Sequence, residues 1–180
     1  MSRAIFPGLN TSNDIRRKEL HEKFSEEIKG LSGKKVHLIV FDLEKIKFAL
    51  EIEKIDEVVA TPAINKLPKS PTYIPGIAAI RGTDIIILDL GSKLGLDQIS
   101  NIKHEDTFTI VVASQRFTIG ILTPLIPINI IVSGEHIQPT GMDIAGSPED
   151  ETYIKGIIRH GEERIYFIDI DELLEGDRTK

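Results

Sequence analysis

Thr72-Tyr73-Ile74-Pro75-Gly76-Ile77 recurs 80 residues further on as Thr152-Tyr153-Ile154-Lys155-Gly156-Ile157. Eight residues after the last Ile of each block stands an aliphatic residue that opens a strand-like run ending in Asp and an aliphatic residue, Ile85 to Leu90 and Ile165 to Ile170. Leu94 and Leu174 correspond as well. A shared stretch without insertions argues for two copies of one supersecondary unit, and the matched Thr, Tyr and Gly exceed what two unrelated apolar strands have in common. The expected architecture is mainly β: two small β-barrels facing each other across a joint core. The repeated glycine, Gly76 and Gly156, fits this, because without a Cβ it permits a left-handed turn or a close backbone approach at a barrel corner.

Outward from the repeat, short runs rich in Ile, Val and Phe alternate with Gly, Pro and polar turns from Val36 onward. Ile46, Phe48, Leu50 and Ile52 alternate with Lys47, Ala49 and Glu51, which predicts a strand with one buried and one wet face. Further strands are predicted at Val36–Leu43, Ile85–Leu90, Phe108–Ala113, Arg116–Leu122, Ile154–Arg159 and Arg164–Asp169. Ser114-Gln115 and His160-Gly161-Glu162-Glu163 are links of hairpin length, and Pro62, Pro68, Pro71 and Pro75 punctuate a loop. Ahead of the β region, Leu20, Phe24, Ile28 and Leu31 form one stripe among Lys, Arg and Glu, which predicts a helix over Asn13–Leu31, packed on the body of the protein. The expected division is an extension over 1–35 and a β domain over 36–178.

The chain has 180 residues, with 28 acidic and 22 basic side chains and a net charge of -6, which disfavours a nucleic-acid partner. It has no cysteine, so no disulfide, thiol nucleophile or thiolate metal site is available. The start, MSRAIFPGLN, lacks an apolar signal core, and no segment approaches the roughly 20 apolar residues needed to cross a bilayer. A cytoplasmic protein without membrane insertion is expected. No catalytic residues, metal ligands or cofactor are expected either. The five histidines, His21, His37, His104, His136 and His160, have no metal-ligand spacing. His104-Glu105-Asp106 reads as a solvated turn, and Gly91-Ser92-Lys93-Leu94-Gly95 lacks P-loop spacing. Asp169 and Asp171 are the remaining acid-base candidates, but the match of Asp89 to Asp169 favours a shared structural role at a strand end.

Gly76 to Leu90, GIAAIRGTDIIILDL, resembles the CheW family signature Gly-x-x-Asn-Leu-Arg-Gly-x-x-x-Pro-Val-x-Asp-Leu at Gly76, Arg81, Gly82, Asp89 and Leu90. Phe48 to Val58 is similar to the family's Tyr-Ala-Ile-Pro-Ile-x-x-Val-x-Glu-Val stretch, and Leu67 to Pro71 to its Leu-Pro-x-x-Pro. Gly120-Ile121-Leu122 resembles the Gly-Leu-Leu-Val-Asp block, and Ile165 to Leu174 the closing strand. The chain departs from the pattern at Ala79, Asp84 and Ile86, at Thr123-Pro124, and at Ile128-Asn129. The resemblance implies two SH3-like, five-stranded barrels forming an adaptor that binds the regulatory domain of a CheA-type histidine kinase and the cytoplasmic tip of a chemoreceptor, in receptor arrays at the inner membrane. An adaptor for another CheA-type pathway, such as pilus or other motility control, is the nearest alternative, and a small-molecule-binding β-barrel a more distant one.

The partner-binding candidates are Glu57, Val58, Arg81, Gly82, Ile121 and Ile128, with Gly76, Gly120 and Gly156 as structural turn glycines. Glu57 and Arg81 are expected to form an ion pair that orients the Arg81-Gly82 turn. Buried, such a pair would cost roughly 3–5 kcal/mol to break; exposed, it would be worth little. Ile39, Val58, Ile121 and Ile128 are candidates to line a groove between the barrels, although core burial is the commoner fate of each residue type.

Overall fold

The computed structural model describes residues 11–96, 103–140 and 152–175, with side chains from Ile15 onward. Residues 1–10 of the expected extension and 97–102, 141–151 and 176–178 of the expected domain lie outside the described residues. Helix α1 (Thr11–Lys29) precedes strands β1 (Lys35–Leu43), β2 (Ile46–Glu51), β3 (Ile55–Ala60), β4 (Ile64–Asn65), β5 (Gly76–Ile80) and β6 (Thr83–Leu88), and then the short helix α2 (Leu90–Lys93). The second series is β7 (Phe108–Ala113), β8 (Thr118–Thr123), β9 (Ile128–Ser133), β10 (Ile137–Pro139), β11 (Ile154–His160), β12 (Glu163–Ile168) and helix α3 (Ile170–Glu175).

Among the described residues the strands form two six-stranded sheets, in the orders β10-β11-β12-β2-β1-β9 and β3-β7-β8-β6-β5-β4. The two outer strands of each sheet follow one another in the chain: β9 and β10 are joined by a 3-10 turn at Gly134–His136, and β3 and β4 by Thr61–Ala63. Counted as one bent strand, each such pair makes its sheet the expected five-stranded unit. The barrels are not the two sequence copies, however. Each copy contributes its first hairpin to the other's sheet: β1-β2 joins β9 to β12, and β7-β8 joins β3 to β6. The joints are parallel pairs, Tyr166 beside Phe48 and Ile86 beside Ile119. Neither barrel is complete without a hairpin from the other copy.

The joint core takes Phe41, Leu43, Phe48 and Leu50 from one sheet and Leu88, Ile110, Val112, Ile119 and Ile121 from the other. A second core lies on the opposite face of the first sheet, where Val36, Leu38, Val40, Ala49, Ile158 and Phe167 meet Ile28 and Leu31. Ala49 is therefore buried, against the expectation of a wet face for Lys47, Ala49 and Glu51, because β2 is central in its sheet and covered on both sides. The helix stripe packs as expected: Phe24 and Ile28 are buried, and α1 lies against β10 and β11. Arg16 and Lys23 reach Glu172 of α3 at 3.5 and 3.7 Å, tying the start of α1 down. At its other end the Gly33 N–H donates to Glu135 Oε1 at 2.6 Å.

The turn glycines divide by mechanism. Gly76 combines φ +154° with a position where a Cβ would overlap the Asn65 carbonyl and stand 2.9 Å from Ile64 Cγ2. Gly120 and Gly156 lie in strands, and there it is space that matters. A Cβ on Gly120 would come 2.5 Å from Thr109 Cγ2, and one on Gly156 2.8 Å from Ile28 Cδ1, beneath α1. Asp89 and Asp169 share one structural role. Each donates its backbone N–H to the repeated tyrosine's carbonyl, Tyr73 at 2.8 Å and Tyr153 at 2.7 Å. Each then caps the following short helix, Oδ1 accepting from the Ser92 and Glu172 N–H groups, both at 3.0 Å.

Candidate functional site

β5 and β6 pair tightly enough, Ile80 opposite Thr83, that two residues must reverse the chain. Both take positive φ, Arg81 at +49° and Gly82 at +79°, the primed turn whose twist matches the flanking strands. Arg81, a non-glycine residue in a left-handed conformation, is held there by the hairpin. Its Nε donates to Glu57 Oε2 of β3 at 2.8 Å. The Arg81 side chain is 79% exposed and that of Glu57 20%. The expected pair is thus formed, in its weak, solvated version, and the guanidinium projects from the hairpin tip. Asp84 follows on the exposed side of the same hairpin, opposite Ala79.

Strand register decides the fate of the apolar candidates, since directly opposed residues share a sheet face. Val58 lies opposite Ile110 and Ile39 opposite Leu50, so both sit on the faces that carry the joint core. Each stands at a margin of that core: Ile39 is partly buried and Val58 is 38% exposed. Ile121 is a correction. It is wholly buried in the joint core and touches no partner in the folded protein. Ile128 is 55% exposed but lies opposite Val40, on the other face of its sheet. The four residues therefore do not line one groove.

Ile128 instead closes an aliphatic elbow between β8 and β9. Leu125 and Ile126 are exposed there; Ile131, further along β9 and opposite His37 of β1, is exposed on the sheet's other face. Thr123 shapes the elbow, its hydroxyl donating to the Leu125 carbonyl at 3.1 Å. The sequence signal was Pro124-Leu125-Ile126-Pro127-Ile128, an aliphatic run where a strand connection is ordinarily polar. Ile86, beside Ile77 on β5, is a further exposed aliphatic residue near the Arg81 turn.

Groups suited to chemistry are engaged elsewhere or scattered. Asp169 caps α3, while Asp171 faces Lys54 at 3.7 Å, so the two do not act as an acid-base couple. His104–Asp106 forms one exposed 3-10 turn beside an open depression of about 400 Å³ that Thr61, Pro62, Ala63 and Ile64 complete. Beneath it the Thr61, Thr107 and Thr109 hydroxyls bond one another at 2.8 and 2.9 Å. No group of three or more His, Cys, Asp or Glu side chains among the described residues is arranged to hold a metal ion. Two ionisable groups are displaced from their ordinary values. The hydrogen bond to Asp42, reinforced by the charges of Asp42 and Glu163, raises Lys47 against a smaller effect of burial. Backbone N–H groups of Glu135 itself and of Gly33 lower Glu135. No described helix is long and apolar enough to cross a membrane.

Comparison with known proteins places this geometry. The family model described as CheW-like domain matches residues 37–178. The chain is 25% identical over 149 residues to "Chemotaxis protein CheW" of Klebsiella aerogenes, covering 82% of this chain and 87% of that one. It is 26% identical over 149 residues to "Probable chemotaxis protein CheW" of Rhizobium etli, covering 83% and 94%. Among solved structures it is similar to the scaffolding protein TtCheW of Thermoanaerobacter tengcongensis. That match has a TM-score of 0.65 at 25% identity, over 75% of this chain and 84% of that one.

Proposed function

Because the chain belongs to the CheW-like domain family, we propose that it is a non-catalytic adaptor coupling the cytoplasmic tips of chemoreceptors to the regulatory domain of a CheA-type histidine kinase. The observation that carries this reading is the family match over residues 37–178, joined to exposed aliphatic residues on the intertwined fold. An adaptor works by presenting rigid surfaces. The swapped hairpins supply rigidity, since each barrel is built from both halves of the chain and the two barrels share one joint core.

Two surfaces are available. One is the hairpin tip with Arg81, Gly82 and Asp84, flanked by Glu57, Val58 and Ile86; the other is the elbow of Leu125, Ile126 and Ile128. An apolar patch rimmed by charge suits a standard interface of about 800 Å² per partner. Moderate affinity is sufficient, because an array of many copies at the inner membrane adds avidity. The expected site for the working protein is therefore cytoplasmic. Asp84 and Ile86, which depart from the family signature, lie on the first surface and would adjust partner choice there.

The test is binding of the purified chain to the kinase regulatory domain and to a receptor cytoplasmic fragment from the same genome, beside an Arg81→Glu variant that first passes a folding check. Binding lost in the folded variant supports the adaptor and assigns its first surface. Binding only to a pilus- or motility-associated kinase moves the pathway but keeps the mechanism. No binding to any kinase or receptor of that genome refutes the proposal.

A further inference from the structure

Lys155 stands among the apolar residues that open β11, Ile154, Gly156, Ile157 and Ile158, and the fold buries it. Its side chain is 10% exposed, with Nζ donating to Glu51 Oε1 at 2.7 Å and lying 4.3 Å from the Phe167 ring centroid. Burying the Lys155 charge is expensive even with Glu51, 28% exposed, as its partner, and an apolar pair of similar volume is often no less stable. The duplicated fold supplies its own control. Lys155 matches Pro75 in the repeat. By the parallel registers, with Phe48 corresponding to Ile119, Glu51 matches Leu122. The other barrel therefore holds these positions with proline and leucine, and the charged pair is not a requirement of the architecture.

The pair lies at the base of a cavity of about 370 Å³, roofed by the last turns of α1. Ile28, Leu31 and Phe167 give it apolar walls, and Glu26, Glu27 and Lys34 add charged groups from the α1 side. The volume falls at the small end of ligand pockets, in which fixed polar groups set the ligand's orientation. A lysine ammonium has three donors, of which Glu51 Oε1 takes one. The cavity thus presents a cation and an anion side by side against an aromatic and aliphatic wall. That doublet complements a molecule carrying the opposite doublet and an apolar tail.

We propose that the cavity between α1 and the β2-β12 sheet is a binding site for a small zwitterion of the α-amino-acid type with an aliphatic side chain. The carboxylate meets Lys155, the ammonium meets Glu51, and the side chain lies along Phe167, Ile28 and Leu31. This inference is independent of the adaptor reading. Occupancy would pin the roof, because the same ligand touches α1 and the sheet, and the α1 surface would then report a metabolite to whatever binds this chain.

The experiment uses the full chain with L-leucine and L-isoleucine as probes, followed by calorimetry and by amide shifts in the NMR spectrum. Isovalerate and isopentylamine, each carrying only one of the two charges, serve as controls. Binding in the millimolar range or tighter is expected, with shifts centred on Leu31, Lys155 and Phe167, and with the single-charge controls at least about tenfold weaker. A Lys155→Gln/Glu51→Gln double variant removes both charges without stranding either and should abolish binding. If it fails to fold, the location of the wild-type shifts still decides the matter. No shifts at about 10 mM probe, shifts elsewhere, or equal binding by isovalerate would each overturn the proposal.

Discussion

Charge reversal at Arg81 separates the two versions of the Glu57–Arg81 pair that the sequence left open. In the structure the pair is close, 2.8 Å, but Arg81 is 79% exposed, and water reaches Glu57 once the guanidinium is gone. An exposed pair of this kind contributes about 0.2–1 kcal/mol. Arg81→Glu also places a second carboxylate near Glu57, adding about 1 kcal/mol of repulsion at 4 Å in bulk water. The total, roughly 1–2 kcal/mol, is small against the 5–15 kcal/mol of a typical fold. For a chain of this size it corresponds to a fall in Tm of very roughly 2–8 °C. Thermal denaturation followed by circular dichroism measures it, and high salt should shrink the deficit because both charges are solvated. A loss near the 3–5 kcal/mol of a severed buried pair, or one insensitive to salt, would refute the assignment of this pair to the surface. Arg81→Asn should be nearly neutral, since asparagine favours the positive φ that Arg81 adopts and offsets the lost pair.

The remaining predictions concern the scaffold. Asp89→Ala and Asp169→Ala each remove a helix cap and should each destabilise the protein by about 1 kcal/mol in urea unfolding, with Asp89 the larger because it is buried. Gly76→Ala drives a methyl against the Asn65 carbonyl in a backbone conformation disfavoured for alanine, and should cost at least about 1–3 kcal/mol by the same assay. Glu135 has a depressed carboxyl in the folded state, so its contribution is complete above its ordinary value of 4.5 and fades as pH falls through the lower folded value. Protection of the Gly33 amide, measured as its exchange rate relative to the intrinsic rate at each pH, should therefore fall in acid, and Glu135→Gln should largely remove that pH dependence.

Local pattern carried much of the fold. β1, β2, β6, β7, β8, β11 and β12 were legible from alternation or aliphatic runs, and the repeat announced two related units. β5, Gly76-Ile77-Ala78-Ala79-Ile80, was hidden because it offers no polar alternation, and β9 because prolines at 124 and 127 mark a loop just before it. The exchange of hairpins was not legible at all. It rests on parallel pairing between strands far apart in the chain, which no local period records. At the candidate site, sequence brought Glu57 to Arg81 but did not fix how exposed Arg81 is. Ile121 and Ile128 are the same residue type in similar runs, and only register and sheet position send one to the core and the other to solvent. The Lys155–Glu51 pair did leave a trace in sequence, a lysine where the other copy has Pro75, visible once the repeat is aligned.

The central claim is that this chain joins two partners at once, and sedimentation of receptor fragment, kinase regulatory domain and this chain, singly and mixed, tests it most directly. The account predicts that the receptor fragment and the kinase domain cosediment as one complex only when this chain is present, and that Arg81→Glu or Leu125→Glu/Ile126→Glu each break that complex while leaving the chain folded. A chain that binds each partner only in competition with the other, or that leaves their sedimentation unchanged, would contradict it.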